Sequence, residues 1–592
     1  HLQAPPQSAT QSAAGSTAGS AAGSAAGSAA GSAAGSQLFR PVTKGFYSMI
    51  VFHCGALFLA LGLTPWLLAR LLAPTSHTAG ILACWGAVMV GLNVIVPILL
   101  HLLSIEITAN TLSTAHLIPA GIALVASRFG RKKVMEPLPR VFLVTAIVFA
   151  ALILPITHIA GIDTYKWQDL AGSVAAEGRI AWLIHPLSLL GFTPRSYSSA
   201  QPLVLATIEI LGHTGVDWGF YILSLAFGIT GLAGAWMLGR RLFGSDRLAG
   251  WFAVFYLFSP IFMRYNYWAT GRGLLLALLP LTLLILLRLS SRLNLKSTLT
   301  NILSLLFLSF LLALSHKAGL IGIILIPLLF LISPAFILIR GRWGLLLALV
   351  AVLAIGLMVA GGNPATLAYR LLTRFGWLLP LTILGLYSAP AQFRTPAARA
   401  MLAAGFATLV ISCTTDMYGA LLALPFITFI ATTGFAALPE RPFTPLIMIL
   451  TGLTALIIVV NQSLDSPNES VYRAAQFLEQ HNPRGPFRIE APGRTRTRMQ
   501  AYVSGCPRFS VDPGKDPELT IARPPQWTGK LSLDARHWID YLRNMFDLHG
   551  SSTDWYGGGN KVYYVTIAGE GTVPGDAKLL FTHGTVKVFG NQ

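Results

Sequence analysis

Apolar stretches of about twenty residues recur along almost the whole chain, and a stretch of that length is what a membrane-crossing helix requires. They fall at 46–69, 78–103, 110–127, 140–160, 218–239, 248–264, 273–289, 299–315, 319–339, 343–361, 375–389, 399–413, 418–438 and 443–460, about fourteen candidate spans in all. Only 11% of the 592 residues are charged and mean hydropathy is +0.63. Soluble domains carry about 25% charged residues, so lipid is the solvent for most of this chain. The expected fold class is therefore an all-α polytopic membrane protein. A net charge of +19 could point to nucleic acid, but the cations lie in short groups between apolar spans, as loop anchors do, and nucleic-acid binding is set aside.

Those cations orient the spans. Arg128, Arg131, Lys132 and Lys133 precede the fourth span, and Arg240, Arg241 and Arg247 separate the fifth from the sixth. Arg288, Arg292 and Lys296 follow the seventh, Arg340 and Arg342 the ninth, Arg394 and Arg399 the eleventh, and Arg441 the thirteenth. Every second connection is basic, which marks these as cytoplasmic. The others then face outward: the long loop 161–217, the turn Tyr265–Arg272, Ser315–Lys317, Gly361–Phe375, Thr414–Tyr418 and everything after Asn461. The expected location is the plasma membrane, with the C-terminal region and the N-terminal tether outside.

The organisation follows. Residues 1–40 form an Ala/Gly/Ser-rich tether, with an AAGS repeat over 13–36 that has no apolar face to bury. Residues 41–137 hold three helices, residues 138–461 a transmembrane core, and residues 462–592 a small α/β domain. In the last, PFRIEA and KVYYVTIAG read as strands, and YRAAQFLEQH and LDARHWIDYLRNMF as amphipathic helices. Within the long loop, TYKWQDLAGSVAAEG predicts a helix with Trp167, Leu170 and Val174 on one side, lying at the membrane interface. PLVLATIEILGH (202–213) is apolar but too short to span, and reads as an interfacial or re-entrant helix. The four cysteines, Cys54, Cys84, Cys413 and Cys506, show no metal-ligand spacing and no disulfide framework.

Asp163 heads that loop, three residues beyond the apolar run Val141–Ala160. Read alone, it is an acid at a helix exit that prefers water. The order and topology of four segments give it more meaning: GIDTYKWQDLAGSVAAEG, LGRRLFGSDRLAGWFAVFYLFSP (238–260), ALSHKAGLIGIILIPLLF (313–330) and TTDMYGALLALPFITFIATTGF (414–435). Over about residues 138–460 the chain resembles the GT-C superfamily of polytopic glycosyltransferases, mannosyltransferase- or arabinosyltransferase-like members included. The resemblance implies an inverting enzyme that moves a sugar from a polyprenyl-phosphate carrier to a glycan, lipid or protein acceptor on the outer face of the membrane. It implies Asp163 as the general base that deprotonates the acceptor hydroxyl. Asp169 and Glu177 are second choices, each reading more readily as a solvated helix-face charge.

A lipid phosphate needs cations on the same side. Lys166, Arg179, Arg195, Arg264, Arg272, Lys317, Arg370 and Arg374 all fall there, against the positive-inside trend. The preferred set is Arg264 and Arg272, which flank the aromatic turn RYNYWATGR, together with His316 and Lys317 at a helix exit. Tyr165, Trp167, Tyr265, Tyr267 and Trp268 are candidate sugar or acceptor contacts, though aromatics also line membrane interfaces. The pattern departs from the family in three places. The turn RYNYWATGRG lacks the acids with which oligosaccharyltransferases bind a divalent metal, and STDWYGGGN (551–560) lacks the order of their WWD-type signature, so no metal or other cofactor is expected. Thr164 follows Asp163 where the family usually has a second acid. Two other readings stay open: a non-catalytic GT-C-like subunit of a larger membrane complex, and a transporter or lipid flippase, which would want ionisable residues at mid-membrane depth.

Overall fold

The computed structural model describes residues 44–72, 77–129, 136–154, 160–180, 182–183, 186–191, 197–213, 216–289, 295–332, 350, 354–358, 363–388, 395–414, 418–463, 469–481, 487–492, 495–500, 502–503 and 561–590. The described residues divide into two units at Phe52 and His53. The AAGS tether, Arg195, LDARHWIDYLRNMF and STDWYGGGN lie outside the described residues.

Helix is the dominant element because, in lipid, a helix pairs every backbone group within itself. The helices are α1 (Lys44–Leu57), which runs through a π-helical segment (Phe58–Leu63) into α2 (Thr64–Leu72), then α3 (Thr78–Leu102), α4 (Ala109–Phe129) and α5 (Arg140–Ile153). α6 (Ile162–Glu177), α7 (Ala200–Gly212), α8 (Val216–Phe243), α9 (Asp246–Leu257), α10 (Pro260–Tyr267), α11 (Gly271–Leu289), α12 (Leu295–Ser315) and α13 (Lys317–Ile332) follow. The rest are α14 (Pro364–Phe375), α15 (Leu378–Ser388), α16 (Pro396–Thr414), α17 (Tyr418–Ala436), α18 (Glu440–Ser463), α19 (Glu469–His481) and α20 (Thr495–Gln500). The chain is an all-α polytopic membrane protein over its apolar part. Eight described helices are long and apolar enough to cross a membrane, and ten if each of two bent pairs counts as one span, against the fourteen expected. Four apolar helices, Arg140–Ile153, Ala200–Gly212, Lys317–Leu328 and Ala397–Leu409, are shorter, and most of 343–361 lies outside the described residues.

Two of the expected straight spans are broken. The stretch 248–264 divides into α9 and α10, bent by 56°. Ser259 caps α10 by accepting from the Phe262 N–H at 3.3 Å, and Pro260 at the first turn has no N–H to continue the ladder. The stretch 375–389 begins earlier, with α14 capped by Asn363 Oδ1, and turns by 94° into α15 at Gly376 (φ 54°). α15 then packs on α17 so closely that Gly385 and Gly434 meet backbone to backbone, as small residues allow between membrane helices.

Contacts sort the connections into two ends. At one end Arg240 Nε meets Asp246 Oδ1 at 3.0 Å and Arg240 Nη1 lies 2.9 Å from His77 Nε2 and 3.7 Å from Glu136, which itself pairs with His77. At the other end the Ile107 N–H donates to Gly178 O at 2.8 Å, and the Ile180 N–H to His101 Nδ1 at 3.2 Å. This grouping matches the alternation of basic and non-basic connections. α6 sits at the second end with Trp167, Leu170 and Val174 buried, and it packs on α7 rather than lying free. α7 is buried almost all round, as a re-entrant helix would be.

The C-terminal region builds β1 (Phe487–Glu490), β2 (Lys561–Ile567), β3 (Lys578–His583) and β4 (Val586–Gly590) into one sheet of order β1-β2-β4-β3, with β1 and β2 parallel and the other pairs antiparallel. Val471, Ala474 and Leu478 of α19 pack on Ile489, Tyr563, Val565, Val586 and Val588 as a core separate from that of the bundle. This region touches the second end of the bundle: α20 lies on α6, and Tyr502 Oη donates to Asp217 Oδ1 at 2.8 Å.

Candidate functional site

The start of α6 is fastened to the aromatic turn between α10 and α11. Gly161 has φ 90°, and a methyl group on it would stand 2.8 Å from the Trp268 indole. Thr164 is fully buried and its hydroxyl donates to Trp268 O at 3.2 Å. Asp163 is the second residue of α6 and lies between these two anchors. A carboxylate in the first turn of a helix is favoured by the exposed N–H groups and the positive end of the helix dipole. Thr164 is thus a structural tie.

The chosen cations form a continuous string beside that anchor. The Arg264 guanidinium lies 4.8 Å from the Trp268 ring centre and 5.9 Å from that of Tyr265, and Arg272 lies 5.2 Å from Tyr265. Two guanidiniums therefore flank one tyrosine, each gaining from the ring's quadrupole. Arg264 Nε is buried without a hydrogen-bond partner among the described residues. Arg272 Nε then approaches His316 Nε2 at 3.4 Å.

His316 sits between α12 and α13 and is 7% exposed. Burial holds its imidazole well below its ordinary pKa, with the Arg272 and Lys317 charges adding to the effect, so the ring is neutral. A neutral ring has one lone pair, and the Ala318 N–H reaches Nδ1 at the shorter distance of 3.1 Å. On the other side of the ring Nε2 lies 3.4 Å from Arg272 Nε, so the imidazole sits directly against the guanidinium. Lys317 follows at the first position of α13, half-buried.

The aromatic candidates are packed into the protein. Tyr165 is 1% exposed, Trp167 4%, Tyr265 2%, Tyr267 5% and Trp268 7%. Trp167 and the Ser315 carbonyl both lie against Gly271, so α6 and the end of α12 meet at the start of α11. As packed, these rings form the walls that hold Asp163's helix and the arginines, and none presents an open face. Asp169 is half-buried in α6, while Glu177 pairs with Arg179 at 3.3 Å at its far end. Arg370 and Arg374 lie on α14, whose corner at Gly376 rests on Pro260 at the start of α10.

Two features escaped sequence reasoning. Gln168 Nε2 donates to Glu209 Oε1 and ties α6 to α7, and Trp182 Nε1 donates to Ser199 Oγ at 3.1 Å beneath the long loop. The sequence signal for the first is a polar residue on each of two helices, Gln168 on α6 and Glu209 on α7, and the second, between residues outside any helix, has none. Among the described residues no group of three or more His, Cys, Asp or Glu converges as metal ligands would. No protein-family model, curated protein or solved structure matches this chain.

Proposed function

We propose that this chain is a metal-independent, inverting membrane glycosyltransferase that takes a sugar from a polyprenyl-phosphate carrier, at the outer face of the plasma membrane. The observation that carries the reading is the docking of α6, with Asp163 in its first turn, on the turn that bears Arg264 and Arg272, in contact with His316 and Lys317. In this reading the acceptor hydroxyl, from a glycan, lipid or protein, gives its proton to the Asp163 carboxylate while its oxygen attacks the anomeric carbon. The bond to the carrier phosphate breaks with its electron pair on the phosphate oxygen. The arginines balance that charge, each guanidinium providing about 4 kcal/mol of gross attraction at an effective dielectric near 20. The carrier's tail stays in the surrounding lipid.

The closed packing of the aromatic rings favours a second reading, a non-catalytic subunit of a membrane complex in which the same contacts only brace the bundle. One experiment separates the two. The purified chain in proteoliposomes is given polyprenyl-phosphate mannose or arabinose and a mixed glycan acceptor, and transfer is compared with that of Asp163→Asn. Loss of a general base should cost about 10²–10⁴ in rate. Transfer that is equal in the two proteins removes Asp163 as the base, and no transfer from either donor by the unaltered chain supports the subunit.

A further inference from the structure

The proposed transferase chemistry makes no use of α14, whose residues after Pro364 sort into three arcs at about 100° per residue. Leu367, Leu371 and Phe375 share one side and pack into the core of the bundle. Ala365, Ala368, Tyr369 and Leu372 share a second side, and all four are exposed, Tyr369 at 69% and Leu372 at 55%. Thr366, Arg370, Thr373 and Arg374 fill the third, and the helix holds no acid. A helix between protein and water needs one apolar face. This one has two, and only the first meets protein among the described residues.

The direction of α14 says what the second face meets. α15 runs along α17, a helix long and apolar enough to cross a membrane, with Gly385 and Gly434 backbone to backbone. α14 joins α15 at 94°, so it lies along the membrane plane rather than across it. Its corner, Gly376, rests on Pro260 at the start of α10, whose other end carries the Trp268 contact with α6. Beyond the corner, α15 exposes Pro380, Ile383 and Tyr387, an i, i+3, i+7 stripe of the kind a bundle helix turns to lipid. The exposed apolar surface is therefore found on both sides of the bend.

We propose that α14 is an in-plane helix whose interaction surface is the lipid of the leaflet at that end of the bundle. Ala368, Tyr369 and Leu372 enter the boundary between headgroups and acyl chains, while Arg370 and Arg374 stand on the side away from the chains. Each arc then has its own neighbour: the bundle, the lipid, and the layer of water and phosphate. A tyrosine suits that boundary, where the ring is in an apolar layer and the hydroxyl in a wet one. Cations without acids suit a layer of phosphates. A second protein is a poorer fit, because four side chains on a helix of about three turns fall short of the ~800 Å² per partner that a stable interface buries. The assignment stands whether or not the core is catalytic.

Spin labelling tests it. Ala368→Cys, Leu372→Cys and Thr373→Cys are made singly in a full chain whose four native cysteines are replaced by serine, labelled with a nitroxide and reconstituted in phosphatidylcholine–phosphatidylglycerol vesicles. At 368 and 372 collision with oxygen, which dissolves in lipid, is expected to exceed collision with an aqueous nickel chelate several-fold, and at 373 the order should reverse. The depth at 372 should be about 5–10 Å below the phosphates. A label at 372 as open to the chelate as the one at 373, shielded from both reagents as under a protein cover, or at the bilayer centre would each overturn the proposal. If the cysteine-free chain does not fold, a photoreactive benzoylphenylalanine in place of Leu372 in the unaltered chain serves, with Ile383 as the reference position. It should join to phospholipid, and a crosslink to protein, or none where the reference labels lipid, refutes the assignment.

Discussion

Replacing Gly161 with alanine tests whether the start of α6 is held by the Trp268 contact. At φ 90° the backbone lies where an L-residue pays about 1–2 kcal/mol. The new Cβ would also stand 2.8 Å from the indole, short of the 3.4 Å at which contact becomes ordinary, and Trp268 has nowhere to retreat at 7% exposure. Overpacking of that kind costs about 1–3 kcal/mol more. The total, about 2–5 kcal/mol, is relieved in part if the first turn of α6 lifts from the indole, carrying Asp163 with it. Gly244→Ala is the control, because Gly244 also has a positive φ, 64°, with nothing within 4 Å of its added carbon, and so reports a positive-φ residue without the clash. Thermal unfolding of both variants in detergent, beside sugar transfer in proteoliposomes, reads the two effects. On the proposed transferase reading, a displacement of about 1 Å at a reacting group costs about a hundredfold in rate, so Gly161→Ala should lose transfer even under conditions where it remains folded. If it is no less stable than Gly244→Ala, the contact does not hold α6 and the reasoning fails.

Other expectations follow from single contacts. A folded form that keeps His316 neutral takes up no proton while the unfolded chain protonates near 6.5. The stability tied to the neutral ring is then complete above that pH and is lost as pH falls below it, and unfolding temperatures from pH 7.5 to 5 should drop more for the unaltered chain than for His316→Asn. Parallel curves would contradict this. Gly434→Ala places a carbon 2.1 Å from Leu381 O and 2.6 Å from Gly385 N, forcing α15 and α17 apart at about 2–4 kcal/mol, and an unchanged unfolding temperature would show the helices are not so close. Tyr502→Phe removes a bond to the Asp217 carboxylate, about 1–2 kcal/mol for a partly exposed charged acceptor, and limited proteolysis should then release the C-terminal region faster.

What could be read from the residues alone, and what could not, divides along a physical line. A backbone in hydrocarbon must satisfy itself, so apolar runs such as Thr78–Leu102, Gly271–Leu289 and Gly419–Ala436 announce helices that the structure reproduces. The breaks were also written locally, in Ser259–Pro260 and in Asn363–Pro364 with Gly376, but a hydropathy window averages over such punctuation and returns one straight span. The site is different in kind. Alternation of charge could gather Asp163, the aromatic turn and His316 on one side, yet Thr164 finds Trp268 across 104 residues and Tyr502 finds Asp217 across 285, pairings fixed only by packing. Packing likewise turned aromatics that read equally as an interface belt or as sugar platforms into the walls around the arginines. His116 Nε2 and Asn93 Oδ1, both buried without a hydrogen-bond partner among the described residues, show the limit most sharply. Asn93 is a lone polar residue in a long apolar run and His116 one of several in a mixed span, so in neither does hydropathy single the residue out. Yet in a solvent without hydrogen bonds a single unmatched acceptor dominates its surroundings, and the spans that look most uniform are where one overlooked polar atom has the largest consequence.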